Sequence, residues 1–176
     1  MRINLYGGPG SGKSTMAAWL FSQAKRHGFS VEHVGEYVKS WATANRKVHE
    51  FDQVYLFGKQ TQYEYRWLNN GVKNIITDSP TLLGPIYTEH YFGEELADPL
   101  YTLCELYDVA HPEINIFLER NDKPYDPNGR YQTEEQAKAV DMLIRDKLAE
   151  YGKLVHYVDW NDEKLLLDII LSSLDK

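Results

Sequence analysis

Residues 7–15, Gly7-Gly8-Pro9-Gly10-Ser11-Gly12-Lys13-Ser14-Thr15, have the types and spacing needed to hold a phosphate chain. They satisfy G-x-x-x-x-G-K-[ST] from Gly7 to Ser14. Glycines let the backbone turn tightly and bring its N–H groups to phosphate oxygens. Lys13 supplies a point charge beside a transferable phosphate, and Ser14 a hydroxyl for Mg²⁺. Two carboxylates have positions suited to join them. Asp78 closes the apolar run KNIITD, where an acid can hold Mg²⁺ directly or through water. Glu36 follows a short apolar segment and can accept a proton from an attacking hydroxyl. Asp78 is the other candidate base. Arg120 and Arg130 flank a polar, turn-rich stretch, RNDKPYDPNGRYQ, that suits a lid closing over phosphates; Lys123 is a weaker member of the same set.

An acceptor side is harder to define. Gln53, Gln60 and Glu64 are spaced by seven and four, which sets all three on one helix face, where an amide can pair with a base edge. Tyr37 and Trp41, four apart and close to Glu36, can stack on an acceptor or simply pack into the core.

These residues need elements to position them. The chain alternates strand and helix, which predicts a five-stranded parallel sheet flanked by crossover helices: an α/β fold of the phosphate-loop NTPase type, with residues 1–176 as one domain and a lid at about 120–132. Strands are expected at 2–6, 30–34, 73–78, 113–119 and 153–158. Helices are expected at 13–27 (ended by Gly28), 36–44, 52–69 and 162–174. Residues 81–110 read as helical pieces broken at Gly84-Pro85, Gly93 and Pro99. Thr133-Glu134-Glu135-Gln136 is a capping box, followed by apolar residues Ala137, Val140, Ile144, Leu148 and Tyr151 at helical spacing. In a sheet of this kind ligands sit at the carboxyl ends of the strands, which selects Glu36, Asp78 and the segment after Glu119.

Composition narrows the classes. A hydrophobic fraction of 43 % over 176 residues suits a soluble chain with a sizeable core. Cys104 is the single cysteine, so no disulfide within the chain is possible, and no Cys/His spacing suits zinc. No apolar run is long enough to span a bilayer, no signal peptide is recognisable, and a reducing, cytoplasmic setting is expected with no membrane partner. A net charge of −7 argues against a broad nucleic-acid surface but leaves room for a local basic groove.

Taken as a set, "GGPGSGKST", Glu36, Gln60 with Glu64, "IITDSP", and "DPNGR" before an amphipathic helix resemble the small phosphate-loop kinases that act on nucleosides, nicotinamide riboside and polynucleotides. "GEYVKSWA", "FDQVYLFGKQ" and "TDSP" look most like the bacteriophage 5-hydroxymethyluracil DNA kinases, which phosphorylate the hydroxymethyl group of a modified base in DNA. The resemblance spans about residues 2–158. It implies that Gly7 to Thr15 bind ATP with Mg²⁺, that Asp78 and Glu36 are the family's two carboxylates, that Arg130 is a lid arginine, and that a phage-encoded chain would work in the host cytoplasm. Many relatives carry arginine directly after the Asp78 position. Here Ser79 stands there, so that arginine's role is absent or passes to Arg120, Arg130 or Arg46.

Two other classes use the same loop. A GTPase switch needs N-K-x-D, which RNDKPYD does not supply in that order. A motor ATPase or regulatory NTP-binding module stays open, separable from a kinase by whether ATP turnover needs a hydroxyl acceptor. The acceptor itself is open among a free nucleoside, a mononucleotide and a base within DNA.

Overall fold

The computed structural model describes residues 1–126 and 132–174. Arg130, together with Gly129, therefore lies outside the described residues, and so does most of the far half of the expected lid. Among the described residues the strands are β1 (Arg2–Tyr6), β2 (Val31–Val34), β3 (Asn74–Thr77), β4 (Glu113–Glu119) and β5 (Val155–Asp159). The helices are α1 (Lys13–Arg26), α2 (Lys39–Thr43), α3 (Asp52–Asn69), α4 (Leu83–Phe92), α5 (Glu94–Ala110), α6 (Glu134–Glu150) and α7 (Glu163–Ser173). All strand pairs are parallel, in the order β2-β3-β1-β4-β5.

Side chains alternate across the sheet, and that alternation builds two cores. Ile3 and Leu5 of β1 face α1 and α7, meeting Ala17, Leu20, Leu166 and Ile170. Tyr6 faces the other layer, where Phe57 of α3, Ile86 of α4, Leu100 and Tyr101 of α5 and Ile144 and Leu148 of α6 pack with Phe117. The product is three layers, helices on both faces of a parallel sheet.

Local chemistry sets the element ends. Gly28 (φ 85°) receives the end of α1, with Phe29 N–H on the Ala24 carbonyl (3.1 Å) and Gly28 N–H on that of Lys25 (3.0 Å). That is a Schellman ending. Thr133 and Gln136 form the expected reciprocal cap of α6. Three expectations are corrected. Residues 36–44 form a helix only from Lys39, leaving Glu36 and Tyr37 in the preceding turn. Pro85 falls in the first turn of α4, where its missing N–H costs no intrahelical bond, and Pro99 is absorbed inside α5; only Gly93, at φ 99°, separates two helices. β2 starts one residue later than expected, β3 is one residue shorter at each end, and β5 starts two residues later and ends one later. No helix among the described residues is long and apolar enough to cross a membrane.

Candidate active site

Strand register brings the chemistry together. Asn4 of β1 pairs with Thr77 of β3, and Thr77 pairs with Val34 of β2. The residues that follow each strand therefore emerge side by side: the phosphate loop after Tyr6, Asp78 after Thr77, and Gly35-Glu36 after Val34. They open onto one cavity of about 980 Å³, lined by Pro9, Gly10, Gly12, Lys13, Ser14 and Thr15 on one side and by Glu36, Tyr37, Gln53, Gln60, Asp78 and Tyr87 on the other. Such a volume suits a drug-sized ligand or larger.

The loop wraps the head of α1. Gly12 caps that helix at φ 102°, a backbone conformation that side chains disfavour. Gly8 is required for a different reason: a β-carbon there would fall 2.5 Å from the Ala137 carbonyl oxygen of α6. Lys13 is half-buried, and its Nζ donates to the carbonyls of Gly7 (2.7 Å) and Gly8 (3.0 Å). Burial pulls the Lys13 ammonium below its ordinary pKa, opposed by the negative charges of Glu36, Asp78 and Asp141.

Asp78 is 4 % exposed, and its Oδ1 has no hydrogen-bond partner. It caps no helix, since α4 begins five residues later. An orphaned buried carboxylate oxygen on a cavity wall that also carries Ser14 and Lys13 fits a divalent cation held by one carboxylate, one hydroxyl and phosphate oxygens. Among the described residues no group of three or more His, Cys, Asp or Glu is arranged to hold a metal ion. An all-protein cage is thus not what this site offers, and a cation that dehydrates reluctantly does not need one.

Gln60, 7 % exposed, accepts the Tyr37 N–H at its Oε1 (3.1 Å). Its Nε2 is buried without a partner and borders the same cavity. Tyr37 is held in turn by Tyr55, hydroxyl to hydroxyl at 2.9 Å. Gln132, next to the segment that contains Arg130, lines the cavity and donates to the Tyr91 hydroxyl (2.9 Å).

Glu64, Arg46, Arg120 and Lys123 do not line the cavity, and Trp41 takes the core-packing alternative that its spacing left open. Glu64 does not reach the cavity. One turn beyond Gln60, α3 has passed under the sheet, and Glu64 is fully buried with Arg2 at 3.8 Å. Burial raises its carboxyl to about 8. Trp41 is also absent from the cavity wall: it is buried, parallel to Tyr55 and covered by the Arg46 guanidinium at 3.3 Å from its ring. Arg46 is occupied there and on Asp52 (3.5 Å). Arg120 is 9 % exposed and faces the loop rather than the cavity; its Nε donates to Asp141 and its Nη2 to the Pro9 carbonyl (3.1 Å). Lys123 lies against Gly12, with its Nζ 4.1 Å over the Trp160 ring. Asp141, which also receives the Gly8 N–H, was not visible in the sequence, because a lone acid on an amphipathic helix reads as solvated.

Known structures with this fold include the deoxyadenosine kinase from M. mycoides with bound dATP (18 % identity, TM-score 0.58, 100 % of both chains). The same enzyme with dCMP and dCDP aligns at 19 % identity and TM-score 0.59, over 98 % of this chain and 97 % of that one. A NadR protein in complex with NAD and AMP-PNP gives 16 % identity and TM-score 0.73, over 99 % of this chain and 51 % of that one, so the chain spans about half the length of NadR. At such identities the likeness concerns the fold, and function has to be argued from the site. No curated protein matches the sequence. A family model described as an AAA domain, AAA_28, matches residues 2–164, and the chain belongs to that family.

Proposed function

We propose that this protein is an ATP-dependent kinase that transfers the γ-phosphoryl group to a hydroxyl of a nucleoside-type acceptor. The observation that carries this reading is the unpartnered Asp78 Oδ1, buried on the wall of a cavity that holds Lys13 and Ser14 on one side and Glu36 and Gln60 on the other. A site for hydrolysis alone has no need of a cavity that extends from the phosphate loop to a buried, unsatisfied amide.

In this reading Gly7 to Thr15 cradle the phosphates, and Ser14 and Asp78 hold Mg²⁺, which when bound neutralises phosphate charge. Lys13 leaves its carbonyl partners for the triphosphate. Glu36 orients the acceptor hydroxyl and takes its proton. Phosphoryl transfer asks mainly for positioning and charge stabilisation, so Glu36 contributes as much by orientation as by basicity. Arg130 supplies the lid cation, since Arg120 and Arg46 are engaged elsewhere. Gln60 is committed as an acceptor to Tyr37, which leaves its Nε2–H₂ to meet a carbonyl or ring nitrogen on the acceptor base.

The finer acceptor we favour is the hydroxymethyl group of 5-hydroxymethyluracil in DNA, from the motif resemblance; a free nucleoside or mononucleotide is the alternative. The deoxynucleotide ligands of the M. mycoides kinase support a nucleoside-type acceptor in general. ATP consumption should be slow alone and rise at least tenfold with the true acceptor when hydroxymethyluracil DNA, free nucleosides and mononucleotides are compared. Stimulation by a polymer or protein without any phosphorylated product would instead make the chain an ATPase or regulatory module.

A further inference from the structure

The contacts behind the phosphate loop assign a role to a residue that does not line the cavity. Asp141 projects from the middle of α6 and spends both carboxylate oxygens on the loop's surroundings. Oδ1 accepts the Gly8 N–H, and Oδ2 accepts Arg120 Nε. Arg120 extends the chain of contacts, donating Nη2 to the Pro9 carbonyl at 3.1 Å. The pair is nearly dry, with side chains 14 % and 9 % exposed. The approach is close enough that only glycine fits at position 8, where a β-carbon would stand 2.8 Å from Asp141 Oδ1. Two consecutive loop residues, one through its N–H and one through its carbonyl, are thus tied to the same carboxylate.

We propose that Asp141 is a positioning residue for nucleotide binding. With Arg120 it clamps Gly8 and Pro9, so that the loop amides converge on the phosphates before the nucleotide arrives. Preorganisation of this kind removes an ordering cost from binding. The arrangement also gives Arg120 a different part from contact with the transferred phosphoryl group or the donor base. Its fork suits the task, since Nε and Nη2 point to two partners in fixed geometry, which a lysine cannot reproduce. The proposal rests on the loop's binding a nucleoside triphosphate and needs no knowledge of the acceptor.

The test uses binding alone: a fluorescent ATP analogue titrated into the intact protein, with inorganic tripolyphosphate as competitor. Hydrogen bonds to charged groups of this type make about tenfold differences. Asp141→Asn and Arg120→Lys should each weaken the analogue and tripolyphosphate by the same factor, about tenfold, and the double variant should be no weaker than the worse single. If Asp141→Asn fails to fold, Arg120→Lys alone carries the comparison. Unchanged tripolyphosphate affinity in the variants overturns the clamp, and so does a loss confined to the ATP analogue, which would put Arg120 on the base. Multiplying effects in the double variant also overturn it, because a shared unit is non-additive. A wild-type protein that binds neither ligand overturns the nucleotide reading and the clamp together.

Discussion

At the amino end of the sheet, Arg2, Asp108, Glu113 and Lys153 form a closed ion network. Arg2 bonds Asp108 and Glu113 (2.9 Å to the latter), and Lys153 bonds the same two acids (2.7 Å to Glu113). Asn4 and Asn115 complete it. At the carboxyl end of the same sheet, the Asp78 and Gln60 side chains keep buried atoms without partners beside a large cavity. Both ends are rich in charge, but only one has space. Two cations facing two anions in a packed setting is a structural solution, whereas unsatisfied groups around an open volume mark a place for a ligand. The amino end is not free of such atoms, since Asn4 Oδ1 and the Tyr107 hydroxyl are also buried without partners, but none of them lines the cavity, and Glu64 is the informative case. Its oxygens also lack hydrogen-bond partners, yet it does not line that cavity, and its raised carboxyl keeps it neutral beside an already balanced network.

Substitutions at the two ends should have opposite signatures. The largest effect should come from Arg2→Met. Removing one partner of a buried network leaves Asp108 and Glu113 with Lys153 alone facing two negative charges, a loss of about 3–5 kcal/mol. Denaturant unfolding should show it, with ATP binding intact in whatever fraction stays folded. A loss under about 1 kcal/mol would mean that the network is not structural.

Asp78→Asn should behave in the opposite way. The rate of transfer should fall about 10²–10³-fold, roughly 2.7–4 kcal/mol, with no fall in Tm. A lower Tm with a surviving rate would return Asp78 to a structural role. Glu36→Gln should cost about 10²-fold in maximal rate with little change in ATP affinity, and it should remove an acidic limb from the pH–rate profile. Loss of ATP affinity in proportion to rate would make Glu36 a ground-state contact.

The smallest and sharpest effect concerns Glu64. Its carboxyl rises from an ordinary 4.5 to about 8, through burial opposed by Arg2. The folded state therefore holds a proton that the unfolded state releases. The associated stability is present in full below about pH 4.5 and is gone above about pH 8. Glu64→Gln fixes the neutral form, so its Tm relative to wild type should climb between pH 5 and pH 8. We expect a gain of at least about 1 kcal/mol at pH 8, or ~2–4 °C. A constant difference across that range would mean that Glu64 is ionised in the fold.

Much of this was readable from residues alone. The loop, the α6 capping box and the bounds of α3 depend on neighbours close in sequence, and the structure has them where the pattern puts them. What failed depends on crossing geometry. Spacing places Gln60 and Glu64 on one helix face but cannot say that α3 slides from the cavity to the amino end of the sheet within one turn. Arg2 and Asn4 hide for a similar reason. The apolar pair Ile3 and Leu5 announces the strand, while the opposite face of β1 is set by what α5 and β4 bring to it. Asp141 and Arg120 are far apart in sequence, and only the approach of α6 to Gly8 joins them.

If the carboxyl-end cavity transfers a phosphoryl group to a second molecule, the phosphorylated product must form as ATP is consumed. Phosphorus NMR of a reaction containing ATP, Mg²⁺ and the nucleoside-type acceptor that best stimulates turnover tests it most directly. We expect a new phosphomonoester resonance growing in step with ADP, absent with Asp78→Asn and with Lys13→Ala. Inorganic phosphate appearing alone, in step with ADP and with no phosphomonoester, would contradict the account.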